Sequence, residues 1–332
     1  MTAQRRLIVG SAGGANAFGT IRSVRDRYGD RVFVVAIDTH PRELVAASAV
    51  ADAFVQVPLA RAPNFLPALS DIAASYPGSY YLPLHDEEIG VAASLAAEGR
   101  LPHSLELIAP PFEVVRLCND KWEMHRWLTA KSLPSPKTAL ATAAALVEMR
   151  LPVIVKPRGG TGGVGVRSIN DPLELKDTDP SEWLLQETLQ MPAVAINMFL
   201  SRDGRVFRSV CRVSLEMRGG VPMKSRIFDD PTLAGLAESL ARQLRLFGAS
   251  NFEVMRDTGG NWRITDVNPR VGAATRMCAT VGMDFAAANL ADLWGEDTER
   301  LLRPVSGEYY VVRQYEEYIT SGPRREPRES RS

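Results

Sequence analysis

The first hundred residues alternate short apolar runs with helix-length segments. Apolar runs occupy residues 7–10, 32–37, 54–57 and 80–83, and helix-length segments, several of them rich in alanine, separate them. Alternation of this kind is typical of a parallel sheet whose two faces are covered by helices. The pattern predicts a doubly wound α/β domain at residues 1–110.

Beyond residue 110 the pattern changes. A helix is predicted over 112–131, and a cluster of prolines follows it, where a helix cannot continue. Further along, β-rich runs at 206–215 and 262–267 accompany helical segments at 233–246 and 284–293. Strands with segregated helices favour an α+β organisation for this part of the chain.

Length and composition restrict the class of protein. The 332 residues suggest about two domains, and 45% hydrophobic with 23% charged residues is typical of a globular chain. The 39 basic and 39 acidic residues balance, which argues against a nucleic-acid partner. No apolar run is long enough for a membrane helix, and no secretory segment follows the N-terminus, so we expect a cytoplasmic protein.

The cysteines and the first glycine cluster carry no obvious chemistry. Three cysteines, at positions 118, 211 and 278, are far apart in sequence, so we expect free buried thiols. Gly10, Gly13 and Gly14 follow the first predicted strand, but their spacing does not match the G-x-G-x-x-G pattern of dinucleotide-binding folds. We interpret them as a tight turn.

A lysine followed by a glycine-rich loop is the strongest local signal. Lys156 ends a β-branched run, and five glycines follow it at positions 159, 160, 162, 163 and 165. Backbone N–H groups of such a loop can surround an anion, and the lysine adds a positive charge to the same phosphates. The order of lysine and glycines differs from the Walker loop. A flexible hairpin with an incidental lysine is the alternative.

A second signal lies about a hundred residues downstream. Two predicted strands flank a D-T-G-G-N turn, with Glu253 before the turn and Asp266 and Asn268 after it. Alternation along a strand places residues 266 and 268 on one face, and Glu253 can point to the same side. Their oxygens are ligands that Mg²⁺ prefers, and Arg270 continues the alternation as a cation for a phosphoryl group. The alternative is a solvated hairpin with scattered charges.

Taken together, these motifs resemble the ATP-grasp superfamily, in particular its carbamoyl-phosphate-synthase-like carboxylate–amine ligases. The resemblance also includes the L-L-Q-E-T-L segment after the glycine loop, the D-V-N-P-R segment, and the N-D-K segment that starts at Asn119. It implies a pre-ATP-grasp Rossmann-like domain at 1–110 and a two-lobed ATP-grasp fold, with the small lobe at 111–190 and the large lobe at 191–320. The polar tail at 321–332 is predicted to be disordered.

The resemblance further implies roles for individual residues. Lys156 and Lys121 would contact the nucleotide phosphates, and the loop with Gly159, Gly160, Gly162, Gly163 and Gly165 would close over them. Adenine would lie against the L-L-Q-E-T-L segment, the hinge of the family, which contains Gln186, Glu187 and Leu189. Mg²⁺ would be held by Glu253, Asp266 and Asn268. The catalytic residues implied are Lys156, Asn268 and Arg270.

One departure concerns the ribose of the nucleotide. Members of the family usually carry an acidic residue several positions after the hinge, where it binds the ribose hydroxyls. In this chain the corresponding stretch is Q-M-P-A-V-A-I-N-M, in which Asn197 is the only polar side chain after Gln190.

Six further residues are candidates for substrate contacts. Three follow a predicted strand at 81–84, where open α/β sheets place their ligands, and three are cations on predicted strands that could receive a carboxylate. Helix initiation and surface charge are the alternatives for these two groups. The candidates are His85, Asp86 and Glu87 in the first group and Arg212, Lys224 and Arg226 in the second.

The predicted activity is an ATP- and Mg²⁺-dependent ligation. A small-molecule carboxylate would be phosphorylated, and an amine, such as an amino acid or peptide, would displace phosphate to give an amide, ADP and phosphate. A kinase-like phosphorylation, a carboxylate–thiol ligation and an ATP-binding regulatory module without chemistry are the alternatives. A homodimer is a possible assembly.

Overall fold

A computed structural model describes residues 4–160, 163–175 and 178–321 of the chain. Three sheets organise these residues, and their helices pack against the sheet faces. Gly162 and residues 322–332, to which the loop and tail predictions refer, lie outside the described residues. No described helix combines the length and apolar character needed to span a membrane.

The N-terminal sheet is parallel, as predicted, with strand order β3-β2-β1-β4-β5. The chain runs from β1 outward to β3 and then returns to the other side of β1 with β4, which creates a switch point between β1 and β4. The strands are β1 (Arg5–Val9), β2 (Val32–Asp38), β3 (Ala53–Gln56), β4 (Ser79–Leu82) and β5 (Leu105–Leu107). The helices of this region are α1 (Ala15–Tyr28), α2 (Phe65–Ser75) and α3 (Asp86–Ala97).

Both faces of this sheet are buried, which explains its nearly continuous apolar strands. Leu7 and Val34 belong to one core with residues of α1, whereas Ile8 and Val35 belong to another with residues of α2. Successive residues of a strand therefore pack into different cores, as the alternation of side chains along a strand requires.

An antiparallel four-stranded sheet comes next, with strand order β6-β9-β7-β8. It contains β6 (Thr138–Leu140), β7 (Val153–Pro157), β8 (Arg167–Ile169) and β9 (Trp183–Glu187), with the short helix α6 (Ala143–Val147). The helices that precede it are α4 (Phe112–Asn119) and α5 (Lys121–Ala130).

The prediction of a single helix over 112–131 was wrong. Asp120 lies between α4 and α5 in an extended conformation, with φ −113° and ψ 101°, and it caps α5. Its Oδ1 accepts hydrogen bonds from the backbone N–H groups of Trp122 at 3.0 Å and Glu123 at 3.1 Å. These bonds satisfy amides that have no partner within a helix, so α5 begins anew at Lys121.

A six-stranded antiparallel sheet completes the fold, with strand order β14-β13-β10-β11-β12-β15. Its strands are β10 (Gln190–Leu200), β11 (Phe207–Arg218), β12 (Val221–Phe228), β13 (Gly248–Arg256), β14 (Trp262–Asn268) and β15 (Glu308–Val312). The helices are α7 (Pro231–Leu244), α8 (Thr275–Thr280) and α9 (Phe285–Leu293). The β-rich runs and helical segments predicted for this part of the chain are confirmed.

Helix α7 covers one face of this sheet. Leu233, Ala237 and Leu240 point inward from α7 and share a core with Ile196 and Phe252 of the sheet. The opposite face of β13 and β14 is left for polar side chains. The three cysteines are buried and form no disulfide, as expected.

Leu240→Ala tests how strongly this core holds the sheet. Leu240 is fully buried, so its truncation should leave a cavity and lower the free energy of unfolding by about 2–5 kcal/mol. Leu173→Ala is the matched control, because Leu173 is exposed, and it should change the free energy by less than about 0.5 kcal/mol. Chemical denaturation followed by circular dichroism measures both, and equal effects of the two substitutions would contradict the assigned core.

Candidate active site

The polar face of the β13–β14 hairpin gathers the predicted metal ligands. Glu253 pairs directly with Asp266 across the two strands, and Asn268 lies two residues further along β14. Phe252 and Val267, which alternate with them, are buried in the core on the other face. The hairpin therefore presents two carboxylates and one amide on the same side.

The two carboxylates repel each other in a half-buried position. Burial raises the pKa of Glu253, and the negative charge of Asp266 raises it further, while Arg212 and Lys156 partly offset both effects. The Nδ2 of Asn268 donates a hydrogen bond to Oδ2 of Asp266 at 3.1 Å. A pair of carboxylates with an amide oxygen beside it is a donor set that fits Mg²⁺. Within the described ranges, no group of three or more His, Cys, Asp or Glu side chains is arranged for a metal ion.

Lys156 is a buried cation at the base of the site. Its Nζ donates hydrogen bonds to Oε1 of Gln186 at 2.5 Å and to the backbone oxygen of Thr265 at 3.4 Å. Burial, together with the charge of Lys121, lowers the pKa of Lys156 to about 8, although Asp266 and Glu253 act in the opposite direction. The lysine thus lacks a carboxylate in direct contact, and an anionic ligand would stabilise its charged form.

The glycine loop is tied to the start of α5. Lys121 Nζ donates a hydrogen bond to the backbone oxygen of Gly160 at 2.6 Å, and the Lys121 N–H donates to the backbone oxygen of Arg158 at 3.0 Å. Arg158 in turn forms a two-pronged ion pair with Asp120, with contacts of 2.9 and 2.7 Å. Gly160 has φ +92°, a conformation that favours glycine. These contacts fix where the loop leaves β7.

A cleft open to solvent, with a volume of about 230 Å³, brings several of the predicted motifs together. A narrower pocket beside it shares Lys121 and Asp266 and contains Lys156, Gln186 and His125. The predicted residues that line the cleft come from the N-terminal sheet, α5, the glycine loop and β14; they are His85, Asp86, Glu87, Lys121, Gly159, Gly160, Asp266 and Asn268.

Arg270 is oriented by a carboxylate from the N-terminal region. Its Nε and Nη2 donate to the two carboxylate oxygens of Asp86 at 2.7 and 3.1 Å, and Nη2 also donates to Oδ1 of Asn268 at 3.2 Å. Both partners of the ion pair are less than a fifth exposed, at 17% and 13%. A charge-assisted two-pronged contact of this kind restricts the rotation of the guanidinium group. Asp86 is the first residue of α3, so it also lies where negative charge favours the helix.

Arg212 faces the same side of the six-stranded sheet as Glu253. Both residues pair with Ala195 of β10, from opposite sides. Arg212 is 8% exposed, its Nη1 donates to the hydroxyl oxygens of Ser214 and Ser225, and its Nε has no partner among the described residues. Burial lowers the pKa of Arg212. A buried guanidinium with an unused N–H is suited to an anionic ligand.

Two other candidates for substrate contacts lie on β12. Arg226 is opposite Val213, so it faces away from Arg212, and it pairs with Glu308 at 2.9 Å. Lys224 is exposed and pairs with Glu216 at 2.7 Å. The structure does not bring these two cations to the cleft.

In the hinge, the side chain of Gln186 contacts Lys156. The Oε1 of Glu187 instead accepts a hydrogen bond from the N–H of Lys137 at 2.7 Å. Leu189 is buried at 8% exposure.

Sequence reasoning missed the contribution of His125. Its Nδ1 lies 2.7 Å from Oγ of Ser135, and its ring stacks on Trp122 at a centroid distance of 5.6 Å. Burial and the charge of Lys156 lower its pKa, which favours the neutral ring. The sequence around it offered no signal, because its partner comes from the loop after α5.

The sequence of residues 118–274 matches the model of the ATP-grasp domain. These residues belong to the ATP-grasp family. The match includes the start of α5, the glycine loop, the hinge and the β13–β14 hairpin, that is, the segments that build the cleft.

Solved structures show that the ATP-grasp fold extends over most of the chain. Biotin carboxylase from Campylobacter jejuni, in complex with an ATP analogue, is 18% identical with a TM-score of 0.73, and the match covers 92% of this chain and 74% of that one. L-amino acid ligase from Bacillus licheniformis is 15% identical with a TM-score of 0.68, and the match covers 91% of this chain and 75% of that one. N5-carboxyaminoimidazole ribonucleotide synthetase from Thermotoga maritima is 15% identical with a TM-score of 0.67, and the match covers 88% of this chain and 76% of that one. At these identities the similarity establishes the fold.

A protein of Mycoplasma genitalium, MG011, described as uncharacterized, is 28% identical over 107 residues. The match covers 31% of this chain and 36% of that protein, and the MG011 homologue of Mycoplasma pneumoniae is 26% identical over the same length. The chain therefore spans only about a third of the length of these relatives.

Binding of ATP should be coupled to protonation of Lys156. Because the pKa of Lys156 is about 8 in the free protein, about half of the lysines are neutral at pH 8, and the phosphates should recharge them. Calorimetry at pH 8 in buffers of different ionisation enthalpy should show uptake of about half a proton per ATP, falling toward zero near pH 6.

Lys156→Met should abolish this uptake and weaken ATP binding by at least about tenfold, since it removes the charge and keeps the length. Lys131→Met, at an exposed lysine that directly follows α5, is the control and should retain both properties. Unchanged proton uptake in Lys156→Met would show that another group accounts for it.

Asp86→Asn tests the orientation of Arg270. Loss of the carboxylate charge should free the guanidinium group and lower kcat/KM for ADP formation by about 10–100-fold, while ATP affinity changes little. Glu113→Gln, at an exposed glutamate of α4, is the control and should behave as the unmodified protein. Equal kcat/KM in Asp86→Asn and the control, in coupled ADP assays, would remove Asp86 from the site.

Proposed function

We propose that the protein is an ATP-dependent carboxylate–amine ligase that works through an acyl phosphate. The observation that carries the proposal is the convergence in one region of a buried lysine, a glycine loop, a carboxylate pair and an oriented arginine. Phosphoryl transfer requires mainly positioning and charge neutralisation, and these groups supply both. Membership of residues 118–274 in the ATP-grasp family supports the use of ATP.

In this proposal the phosphates of the nucleotide lie in the cleft, and its adenine is directed toward the hinge, beside the narrow pocket. Lys156 and Lys121 would contact the phosphates, and Gly159, Gly160, Gly163 and Gly165 of the glycine loop would cover them. Gln186, Glu187 and Leu189 would lie on the adenine side, and Gln186 also lines the narrow pocket. The absence of an acid after the hinge leaves ribose recognition to other groups.

The donor set on the hairpin completes the phosphate site. Glu253, Asp266 and Asn268 would hold Mg²⁺, which supplies positive charge to the phosphate oxygens when bound. Arg270, held by Asp86 and Asn268, lies next to these donors. It can stabilise the transferred phosphoryl group without reorienting, because its guanidinium is already fixed.

The proposed reaction has two steps. A substrate carboxylate oxygen attacks the γ-phosphorus of ATP, the bond to the β,γ-bridging oxygen breaks, and ADP leaves. The amine nitrogen then attacks the carbonyl carbon of the acyl phosphate. The C–N bond forms as the C–O bond to phosphate breaks, and the proton lost from nitrogen leaves with the phosphate. The unpaired Nε of Arg212 is suited to bind the substrate carboxylate.

The environment of Cys118 argues against a covalent enzyme intermediate on its sulfur atom. Cys118 lies against both the cleft and the narrow pocket, but it is 5% exposed. Burial raises the pKa of its thiol, and the carboxylates of Asp266 and Asp86 raise it further, so the thiolate is suppressed. The amine therefore meets the acyl phosphate directly.

The alternatives make different products from the same nucleotide site. A kinase-like enzyme would release a stable phosphorylated substrate, a carboxylate–thiol ligase would form a thioester, and a regulatory module would bind ATP without turnover. The carboxylate pair of Glu253 and Asp266 and the oriented Arg270 are groups that turnover needs, and they favour an enzyme over the module.

Capture of the acyl phosphate tests the proposal. The protein is incubated with Mg-ATP, candidate carboxylic acids and hydroxylamine, and ADP, AMP and hydroxamate are measured together. We expect ADP and hydroxamate in equal amounts, because the anhydride reacts with hydroxylamine when no natural amine is present. AMP with pyrophosphate would contradict the mechanism, and ADP with a stable phosphorylated product would favour the kinase-like alternative.

Asp266→Asn tests whether the β13–β14 hairpin holds the metal ion. It removes one anionic ligand, so we expect a higher Mg²⁺ requirement and a turnover lower by about 100-fold or more. Asp71→Asn, at an exposed aspartate of α2, is the control. An unchanged Mg²⁺ titration in Asp266→Asn would place the metal elsewhere.

A further inference from the structure

A cavity lies where the N-terminal region meets the six-stranded sheet. It is open to solvent and has a volume of about 290 Å³. One side is built from the ends of β4 and β5 and the segment that follows β5, and the other from the start of β13, the residues that follow β14, and α9. Arg270 lines this cavity, whereas its partners Asp86 and Asn268 line the cleft, so the ion pair stands between the two spaces.

Most of the cavity wall is apolar. Ile108, Phe247 and Val271 contribute side chains from both regions, and Ile108 and Val271 are buried. Arg202 and Arg270 are the charged residues of the wall, and no described residue that lines it is acidic. The wall therefore suits a ligand that combines an apolar body with a group that accepts hydrogen bonds.

One polar side chain of the wall is buried without a partner. Asn289 of α9 is 7% exposed, and its side-chain amide forms no hydrogen bond with any residue that the structure describes. Gly248 makes room for this amide, because a Cβ at that position would strike Oδ1 of Asn289, whereas Nδ2 lies 3.8 Å from it. Buried polar groups are normally paired, so the free amide at the cavity points to a ligand that completes its hydrogen bonds.

Arg202 adds a guanidinium group with unused donors. The carboxylates that it faces, those of Glu106 and Asp292, are 3.8 and 3.9 Å away, beyond hydrogen-bond distance, and neither residue lines the cavity. Asp292 accepts instead from the backbone N–H of Arg202 at 3.0 Å. Asn289 and Asp292 are three residues apart on α9 and share a face, so this contact brings Arg202 to the side of the helix that carries Asn289.

We propose that this cavity binds a small carboxylate with an apolar body. The carboxylate oxygens accept hydrogen bonds from the guanidinium of Arg202 and from Nδ2 of Asn289, and the body packs against Ile108, Phe247 and Val271. The site goes beyond the function proposed above and does not depend on it, since Lys156, Asp266 and the glycine loop residues Gly159 and Gly160 do not line the cavity.

Direct binding without nucleotide tests the cavity. Phenylacetate, which is anionic at pH 7.5, and phenylacetamide, its neutral counterpart of the same shape, are titrated into the full-length protein by calorimetry. We expect phenylacetate to bind at least about tenfold more tightly than the amide, because a charge-assisted contact with the guanidinium is available to the carboxylate alone.

Arg202→Gln tests the cation of the site at an exposed position, where replacement does not disturb a core. It should weaken phenylacetate binding by about tenfold and leave phenylacetamide nearly unchanged. Arg205→Gln is the matched control, because Arg205 is 86% exposed, pairs with Asp203 and does not line the cavity. It should bind both compounds as the unmodified protein does.

Asn289→Asp tests the amide with little change of shape. It replaces the Nδ2 donor by an oxygen and adds a negative charge, so it should weaken phenylacetate binding by at least about tenfold and phenylacetamide binding less. Equal binding of the two compounds to the unmodified protein, or unchanged phenylacetate affinity in Arg202→Gln, would overturn the proposal even if Asn289→Asp does not fold.

Two further results separate this cavity from the cleft and from the ligase function. Lys156→Met should bind phenylacetate normally, and a tenfold loss there would place the anion in the phosphate site and overturn the proposal. If phenylacetate binds as expected but no acid yields ADP and hydroxamate, the carboxylate site stands and the ligase proposal fails. If hydroxamate forms but phenylacetate does not discriminate between Arg202→Gln and Arg205→Gln, the ligase proposal stands and the carboxylate site fails.

Discussion

The organisation of this site depends on charged side chains that are buried away from water. Glu253 and Asp266 face each other across neighbouring strands in a half-buried position, and Lys156 is buried nearby without a carboxylate in contact. Burial makes the charged forms of Glu253 and Lys156 less stable here than in water, and the rest of the fold has to hold them there. Cation and phosphate are the ligands that would relieve both costs at once. The buried core beneath β13 and β14 provides the rigid support that such an arrangement needs.

Local motifs were enough to predict several of the residues that line the cleft. Lys156, the glycine loop and the D-V-N-P-R strand each lie within a short segment, and alternation along a strand determines which residues share a face. The hairpin turn suggested that Glu253 points to the same side as residues 266 and 268, and the register pairs residue 253 with residue 266. The same reasoning predicted the parallel N-terminal sheet, because buried strands alternate with helices along the chain.

Contacts between distant segments could not be predicted in this way. Asp86 and Arg270 are 184 positions apart, and they meet because α3 packs on α4 and α4 packs on β14. Asp120 was predicted within a helix because the apolar pattern continues past it, whereas its side chain satisfies two amides and starts a new helix. Arg226 looked equivalent to Arg212 in sequence, yet the pairing of β11 with β12 places it on the opposite face.

The ion pair between Asp86 and Arg270 has a consequence for the modularity of the protein. Residues 118–274 form a recognisable family unit, but the carboxylate that holds its arginine comes from the preceding α/β region. A chain that carried the family unit alone would leave the guanidinium group without its counter-ion, and a foreign N-terminal domain would have to supply an acid at the same place. The two regions therefore depend on each other at this point, and they also share a hydrophobic core, in which Leu7 lies with Phe199 and Val271.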